Sequence, residues 1–318
     1  MSAKKQAIGV VGLGIIGSRV AANLRRAGYD VWVWNRSPRS EPNFLSSAAE
    51  VAETADIILF FVSDGPALLE SIRAMEPVLT ARHLLVAHST VSPAEAREAA
   101  ELAARSSAGF LDAPFTGSRD AAEAGQIIYY VAGAPDWLDR ARPVMSVSAK
   151  SIVEIGPEVG HASLVKLATN IIAATAVEAL AEAMALVSAN GISAPKFIEA
   201  YAQNAVRSGV ADMKLPAMIA GDFDPRFMLK HMFKDVQLAL QAGKSAGIEM
   251  PATAAAESAL SAGLQKGWGD LDFSALAKQY TFPGSDPLAA NALIAMREAE
   301  GTKPKPKLLS LFGAARKV

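Results

Sequence analysis

Residues 6–17 read Gln6-Ala7-Ile8-Gly9-Val10-Val11-Gly12-Leu13-Gly14-Ile15-Ile16-Gly17, and the reading of this stretch decides the fold. A short apolar run with no charge is a buried strand, and the glycines that follow at once mark its end. From residue 15 to 27 the apolar spacing becomes helical and stops at Gly28. Residues 30–34 then alternate like a second strand. Strand, glycine turn, helix and strand together turn a bare G-x-G-x-x-G into a dinucleotide site. Gly12 permits the tight turn, Gly14 lets a pyrophosphate come close to the backbone, and Gly17 lets the helix pack on the strand. Phosphates would rest on the N–H groups of Gly12, Leu13, Gly14, Ile15, Ile16 and Gly17, where the helix dipole favours anions. A glycine-rich turn with no ligand is the competing reading.

Working outward, the end of the second strand is where such folds choose a cofactor. An acidic residue there takes the ribose hydroxyls of NAD. This chain has Asn35-Arg36-Ser37 instead. No carboxylate repels a 2′-phosphate, and Arg36 can pair with one while stacking on adenine. An exposed turn arginine would look the same; the expectation is NADP(H). Further strands at 56–62, 84–87, 109–112, 126–132 and 152–155 alternate with helical stretches and extend a parallel sheet. Ligands of such sheets sit beyond the carboxyl ends of strands, so Val62, Ser63 and Thr90 are cofactor candidates. His88, alone at a strand end, reads as structural. The turn Thr116-Gly117-Ser118 offers hydroxyls and backbone N–H groups that suit a carboxylate, or it is an ordinary connection.

The whole chain has 318 residues, room for two domains, and a formal charge of −1, which argues against a general nucleic-acid binder. It has no cysteine, so disulfides, thiolate metal sites and a Cys nucleophile are excluded. Lys4 and Lys5 before the apolar run mimic a signal peptide. The ordered glycines and Arg19 oppose that reading. The stretch 171–187 is apolar but carries Glu178 and Glu182, which argues against a membrane span. The expectation is a cytoplasmic protein.

After Gly156-Pro157 the pattern is helix upon helix: 163–190, then 194–205, 208–220, 230–246 and 251–266. Met213, Met218, Met228 and Met232 read as adaptable core. Lys166 and Asn170 lie four apart, so on a helix they share a face. Leu164, Val165, Leu167, Ile171 and Ile172 surround them. A lysine so covered can lose hydration, drop its pKa and become a proton donor near neutrality. A surface Lys–Asn pair is the bland alternative, and Lys234-Asp235 carries the same ambiguity.

Four motifs in order resemble the β-hydroxyacid dehydrogenase family over residues 6–282. They are the glycine turn; Asp112-Ala113-Pro114-Phe115-Thr116-Gly117 with Ala122-Glu123-Ala124-Gly125-Gln126; the run from Gly160 through Lys166 to Asn170; and Lys234-Asp235-Val236-Gln237-Leu238-Ala239. Phe227-Met228-Leu229-Lys230-His231 and Gly269-Asp270-Leu271-Asp272-Phe273-Ser274 resemble the glyoxylate/succinic semialdehyde reductase branch. The resemblance implies an α/β fold: an N-terminal Rossmann-type doubly wound parallel sheet at 1–160, then an all-helical domain at 161–283 of the 6-phosphogluconate dehydrogenase C-terminal type. A C-terminal extension at 284–318 has no counterpart in that pattern. The resemblance further implies Lys166 as catalytic acid, Asn170 as its substrate-orienting neighbour, and a carboxylate turn at Thr116, Gly117 and Ser118. Thr90 and Lys234 fall at cofactor positions, and members associate as dimers or tetramers. Thr116 stands where the family usually has serine. The expected activity is NADPH-dependent reduction of a small aldehydo-acid such as succinic semialdehyde or glyoxylate. An imine reductase and a non-catalytic dinucleotide-binding module are the alternatives, and the retained Lys166 counts against both.

Overall fold

The computed structural model describes residues 6–280; the 284–318 extension expected from the sequence lies outside the described residues. The chain opens with β1 (Ala7–Val11), α1 (Gly17–Arg26) and β2 (Asp30–Trp34), then α2 (Ala48–Thr54) and β3 (Ile57–Phe60). It continues through α3 (Gly65–Met75), β4 (Leu84–Ala87), α4 (Pro93–Arg105) and β5 (Gly109–Asp112). β1, β3 and β4 read as unbroken apolar runs because both faces are covered. Ile8, Val10, Ile57, Leu59, Leu84 and Val86 face one core with Val20 and Leu24 of α1. The alternate residues Val11, Ile58, Phe60, Leu85 and Ala87 face a second core with Val51, Leu68, Ile72 and Leu102.

The sheet order is β2-β1-β3-β4-β5, followed by β7 (Ile127–Ala132), with β6 (Phe115–Thr116) and β8 (Ala149–Gly156) both pairing with β7. The first five strands are parallel, as expected. Beyond them the sheet becomes mixed: β7 runs antiparallel to β5 and β6, and β8 runs parallel to β7. Parallel neighbours need a crossover of a dozen or more residues, usually helical. Between β5 and β7 the chain offers only the short β6 and the five-residue α5 (Arg119–Glu123), so it returns antiparallel. After α6 (Pro135–Ser146), β8 closes the parallel pair.

The helical part comprises α7 (His161–Ala189), α8 (Ala194–Ala202), α9 (Gly209–Ala220), α10 (Leu229–Ser245), α11 (Pro251–Gln265) and a 3₁₀ segment, Phe273–Gln279. By length and composition alone α7 could cross a membrane, a test that core helices of soluble proteins also pass. Among the described residues, one compact unit is formed by 6–175 with Pro225–Phe273, and a second by Ala176–Asp224 with 274–280. The first unit thus holds the sheet, the start of α7, and α10 and α11. There α10 and α11 pack closely; a Cβ on Gly263 would press on Leu229.

What places α7 is a single carboxylate at the end of β5. Asp112 Oδ2 accepts from the backbone N–H of Gly160 (3.0 Å) and of Ser163 (2.9 Å), and Oδ1 accepts from the Ser163 hydroxyl (2.7 Å). The free N–H groups of a helix start are thereby satisfied by a residue 48 positions upstream. Asp112 is fully buried, and burial pushes its carboxyl up while those hydrogen bonds pull it down. Replacing Asp112 with Ala leaves these buried donors unpaired. Such groups cost about 1–3 kcal/mol each, so equilibrium denaturation should show a loss of roughly 2–5 kcal/mol.

Candidate active site

The strand order reverses at β1, which has β2 on one side and β3 on the other; such a switch point opens a crevice at the carboxyl ends of the strands. Gly12, at φ +95°, makes the turn after β1, and a Cβ there would strike the Phe61 carbonyl beyond β3. The helix behind it is seated so tightly that a Cβ on Gly17 would collide with the Gly12 carbonyl. Gly14, by contrast, borders open space. Among the described residues no acceptor meets the N–H groups of Ile15 and Ile16. A cradle with free donors and no side chain in the way suits a pyrophosphate.

Several expected cofactor residues have partners within the protein. Asn35 Oδ1 accepts from the Leu13 N–H (2.9 Å), and Asn35 Nδ2 donates to the Ser37 carbonyl (2.8 Å). Asn35 therefore braces the glycine turn, and the Leu13 N–H expected to face phosphate is turned to the brace. The Val62 N–H donates to Ser89 Oγ (2.9 Å), while the Ser63 hydroxyl donates to Asp64, which caps α3. Burial would raise the Asp64 carboxyl. The Ala67 N–H, the Ser63 hydroxyl and the charges of Lys234 and Arg36 outweigh burial and hold it below its ordinary value. Arg36 is exposed and has no hydrogen bond among the described residues. It borders a cavity of about 390 Å³ with Trp34, Phe44 and Glu50.

The second cluster is built from α7, α10 and the loop after β4. Lys166, five residues into α7, is only 9% exposed, and its amine donates to Asn170 Oδ1 (2.8 Å). Asn170 Nδ2 donates to Asp235 Oδ2 (2.6 Å), and Asp235 is 1% exposed. The Lys234 amine lies 2.8 Å from Asp235 Oδ1, at an angle that makes this a charge contact rather than a hydrogen bond. Lys234 donates instead to the Thr90 carbonyl (2.5 Å). Burial strips hydration from Lys166 and draws its pKa down to about 8; Asp235 opposes the shift and Lys234 adds to it. An amine of that pKa can give or take a proton near neutrality.

Thus Lys166, Asn170, Lys234 and Thr90, chosen from sequence, are joined in one chain of contacts. Asp235, quoted in a motif but given no role, is its centre. Its two neighbours are an amide 65 residues upstream and a lysine beside it, a pairing with no local spacing signal. The turn with Thr116, Gly117 and Ser118 makes no hydrogen bond to this network among the described residues. Thr116 pairs with Ile128, Gly117 sits at φ +148°, and the Ser118 hydroxyl accepts from the Ala121 N–H (3.3 Å) at the start of α5. His88 is structural, as expected. Its Nδ1–H donates to the Ala113 carbonyl (2.7 Å), its ring stacks on Phe61, and burial takes its pKa down to about 4.

The glycine turn at the switch point fits a dinucleotide, and a buried lysine stands at the start of α7. Residues 7–156 match the family described as the NAD binding domain of 6-phosphogluconate dehydrogenase. Residues 160–280 match that described as the NAD-binding domain of NADP-dependent 3-hydroxyisobutyrate dehydrogenase. Glyoxylate/succinic semialdehyde reductase 2 of Arabidopsis thaliana is 32% identical over 279 residues, 85% of this chain and 78% of that protein. Reductase 1 of the same plant is 29% identical, covering 86% and 98%. The solved structure of Mycobacterium tuberculosis 3-hydroxyisobutyrate dehydrogenase with L-serine superposes with a TM-score of 0.80 at 27% identity, covering 87% of this chain and 99% of that one. The chain belongs to the β-hydroxyacid dehydrogenase family and is an NAD(P)-dependent oxidoreductase acting on a CH–OH group.

The two ends of the cradle should respond differently to substitution. Gly14→Val, which enters open space, should change stability by no more than about 0.5 kcal/mol yet abolish NAD(P)H binding. Gly12→Ala should lower the melting temperature, because it meets both a positive φ and a carbonyl. Calorimetry with and without dinucleotide reads both.

Proposed function

We propose that the enzyme reduces a small carboxylate-bearing aldehyde, succinic semialdehyde or glyoxylate, to the hydroxyacid with NADPH. The observation that carries this reading is Lys166: a desolvated amine hydrogen-bonded to a neutral amide, with a pKa drawn to about 8. NADPH when bound supplies a hydride to the carbonyl carbon. Lys166 supplies the balancing proton to the carbonyl oxygen, leaves as the neutral amine, and is reprotonated from solvent. Asn170 keeps the amine from swinging away during this exchange. The backbone and hydroxyls at Thr116, Gly117 and Ser118 hold the substrate carboxylate, so binding energy is used to orient the reacting carbonyl. The family turn of 1–160 carries the dinucleotide, with Arg36 as counter-charge to the 2′-phosphate and Lys234 and Thr90 at the nicotinamide end. The names of the plant relatives support the substrate class, and Arg36, exposed and without a hydrogen bond among the described residues, supports the choice of NADPH.

General-acid help is worth about 10²–10⁴ in rate, so Lys166→Ala should lower kcat for reduction by that factor with NADPH affinity little changed. Full turnover in this variant would end the proposal. Because the protonated amine is the donor, kcat/KM for reduction should hold steady below pH 8 and decline about tenfold per unit above it. Oxidation of the hydroxyacid, which needs the neutral amine, should rise through the same range. Charge-assisted hydrogen bonds contribute about 1.5–3 kcal/mol. Arg36→Ala should therefore weaken NADPH binding roughly ten- to a hundredfold and leave NADH nearly untouched, measured by fluorescence titration with each dinucleotide.

A further inference from the structure

Asn170 stands between two residues that do not bond to each other. Its carbonyl faces the Lys166 amine and its amide nitrogen faces Asp235. A primary amide is nearly the same shape turned end for end, so its orientation is set by its partners. An ionised carboxylate can only accept hydrogen bonds and an ammonium can only donate them. With Asp235 at 1% exposure and Lys166 at 9%, both groups are largely shielded from solvent, so a wrong pairing is costly. A flipped amide would set its oxygen against a carboxylate and its NH₂ against an ammonium, two repulsive contacts in place of two attractive ones.

We propose that Asp235 is a positioning residue that locks the side-chain amide of Asn170 with its carbonyl toward Lys166. The amine therefore keeps one fixed acceptor in both of its protonation states, since neutral and charged lysine alike can donate to it. A carboxylate placed directly on Lys166 would hold the ammonium too strongly for it to release a proton, because an unscreened ion pair in a dry site is far stronger than a neutral hydrogen bond. The relay delivers orientation while setting the negative charge one side chain away, where Lys234 lies against it. The charged groups that act on Lys166 are Asp235 and Lys234, both from α10. His231, one turn earlier on α10, feels the charges of Lys234, Lys230, Asp235 and Asp270. This assignment also limits Asn170: one amide hydrogen is committed to Asp235, so the residue serves the lysine first and the substrate with what remains. The consequence for catalysis rests on Lys166 being the proton donor; the orientation itself does not.

The test is an NMR titration of the Lys166 side chain in the full-length protein, assigned against Lys166→Arg, for wild type, Asp235→Asn, Asn170→Ala and the double variant. The wild-type midpoint should lie near 8. Asp235→Asn permits the amide to turn and should lower the midpoint by about one unit, a tenfold change in proton affinity. Loss of the Asp235 charge lowers the midpoint by itself, and this direct part persists in the Asn170→Ala background; if Asp235 also acts through the amide, the shift there should be clearly smaller than in the single variant. A shift as large in that background, or none in the single variant, overturns the proposal. If Asp235→Asn does not fold, Asp235→Glu and Asn170→Leu carry the test. The glutamate variant keeps an acceptor-only partner and should retain the wild-type midpoint, while the leucine variant falls below it; equal midpoints for the two would overturn the proposal. Activity separates this claim from the reaction: undiminished turnover in Lys166→Ala would remove the proton-donor role while the titration still decides the orientation.

Discussion

An ammonium group taken out of water is the constraint on which this structure depends. Lysine is almost never buried unless something compensates its charge. Here the compensation is incomplete: Lys166 touches a neutral amide, and the nearest opposite charge is one side chain further on. The result is a side chain poised between two protonation states rather than fixed in one. Three distant segments must be held in register to keep it so. Asp112 fixes the start of α7, Asp235 on α10 fixes the amide, and Lys234 ties α10 to the loop after β4.

All three ties are charged or hydrogen-bonded contacts, the first two buried and the third half-buried, and each joins elements far apart in sequence. Buried polar networks of this kind are costly when broken in part, because each lost partner strands another. They also specify geometry that apolar packing alone leaves loose. The two apolar cores on either face of the sheet supply the mass of the fold. The polar ties decide where one helix begins and which way one amide faces.

Much of this was readable from residues 6–17 and the periodicity after them. The strands at Leu84–Ala87 and Gly109–Asp112 were read with their bounds, because fully apolar runs between turn residues leave little choice. The short β6 falls where the spacing predicts only a turn, since two residues carry no periodicity. The last strand begins at Ala149, earlier than expected, because Lys150, Ser151 and Glu154 interrupt the apolar pattern where the strand is exposed. The antiparallel return of β7 was not legible, as strand direction is settled by partners and not by the strand's own residues. Around Lys166 only the pair one helical turn apart is legible from spacing. Asp112 and Asp235 reach their partners across 48 to 65 residues, and no local spacing announces that.

The brace from Asn35 to the Leu13 N–H bears on how such an enzyme could change over generations. An aspartate of the same size would still present an oxygen to that N–H and so preserve the turn, while bringing the carboxylate that ribose hydroxyls prefer and a 2′-phosphate does not. The position that shapes the cradle is thus also the one where coenzyme preference can drift by an isosteric exchange. Lineages could cross between the two nicotinamide currencies without first dismantling their scaffold.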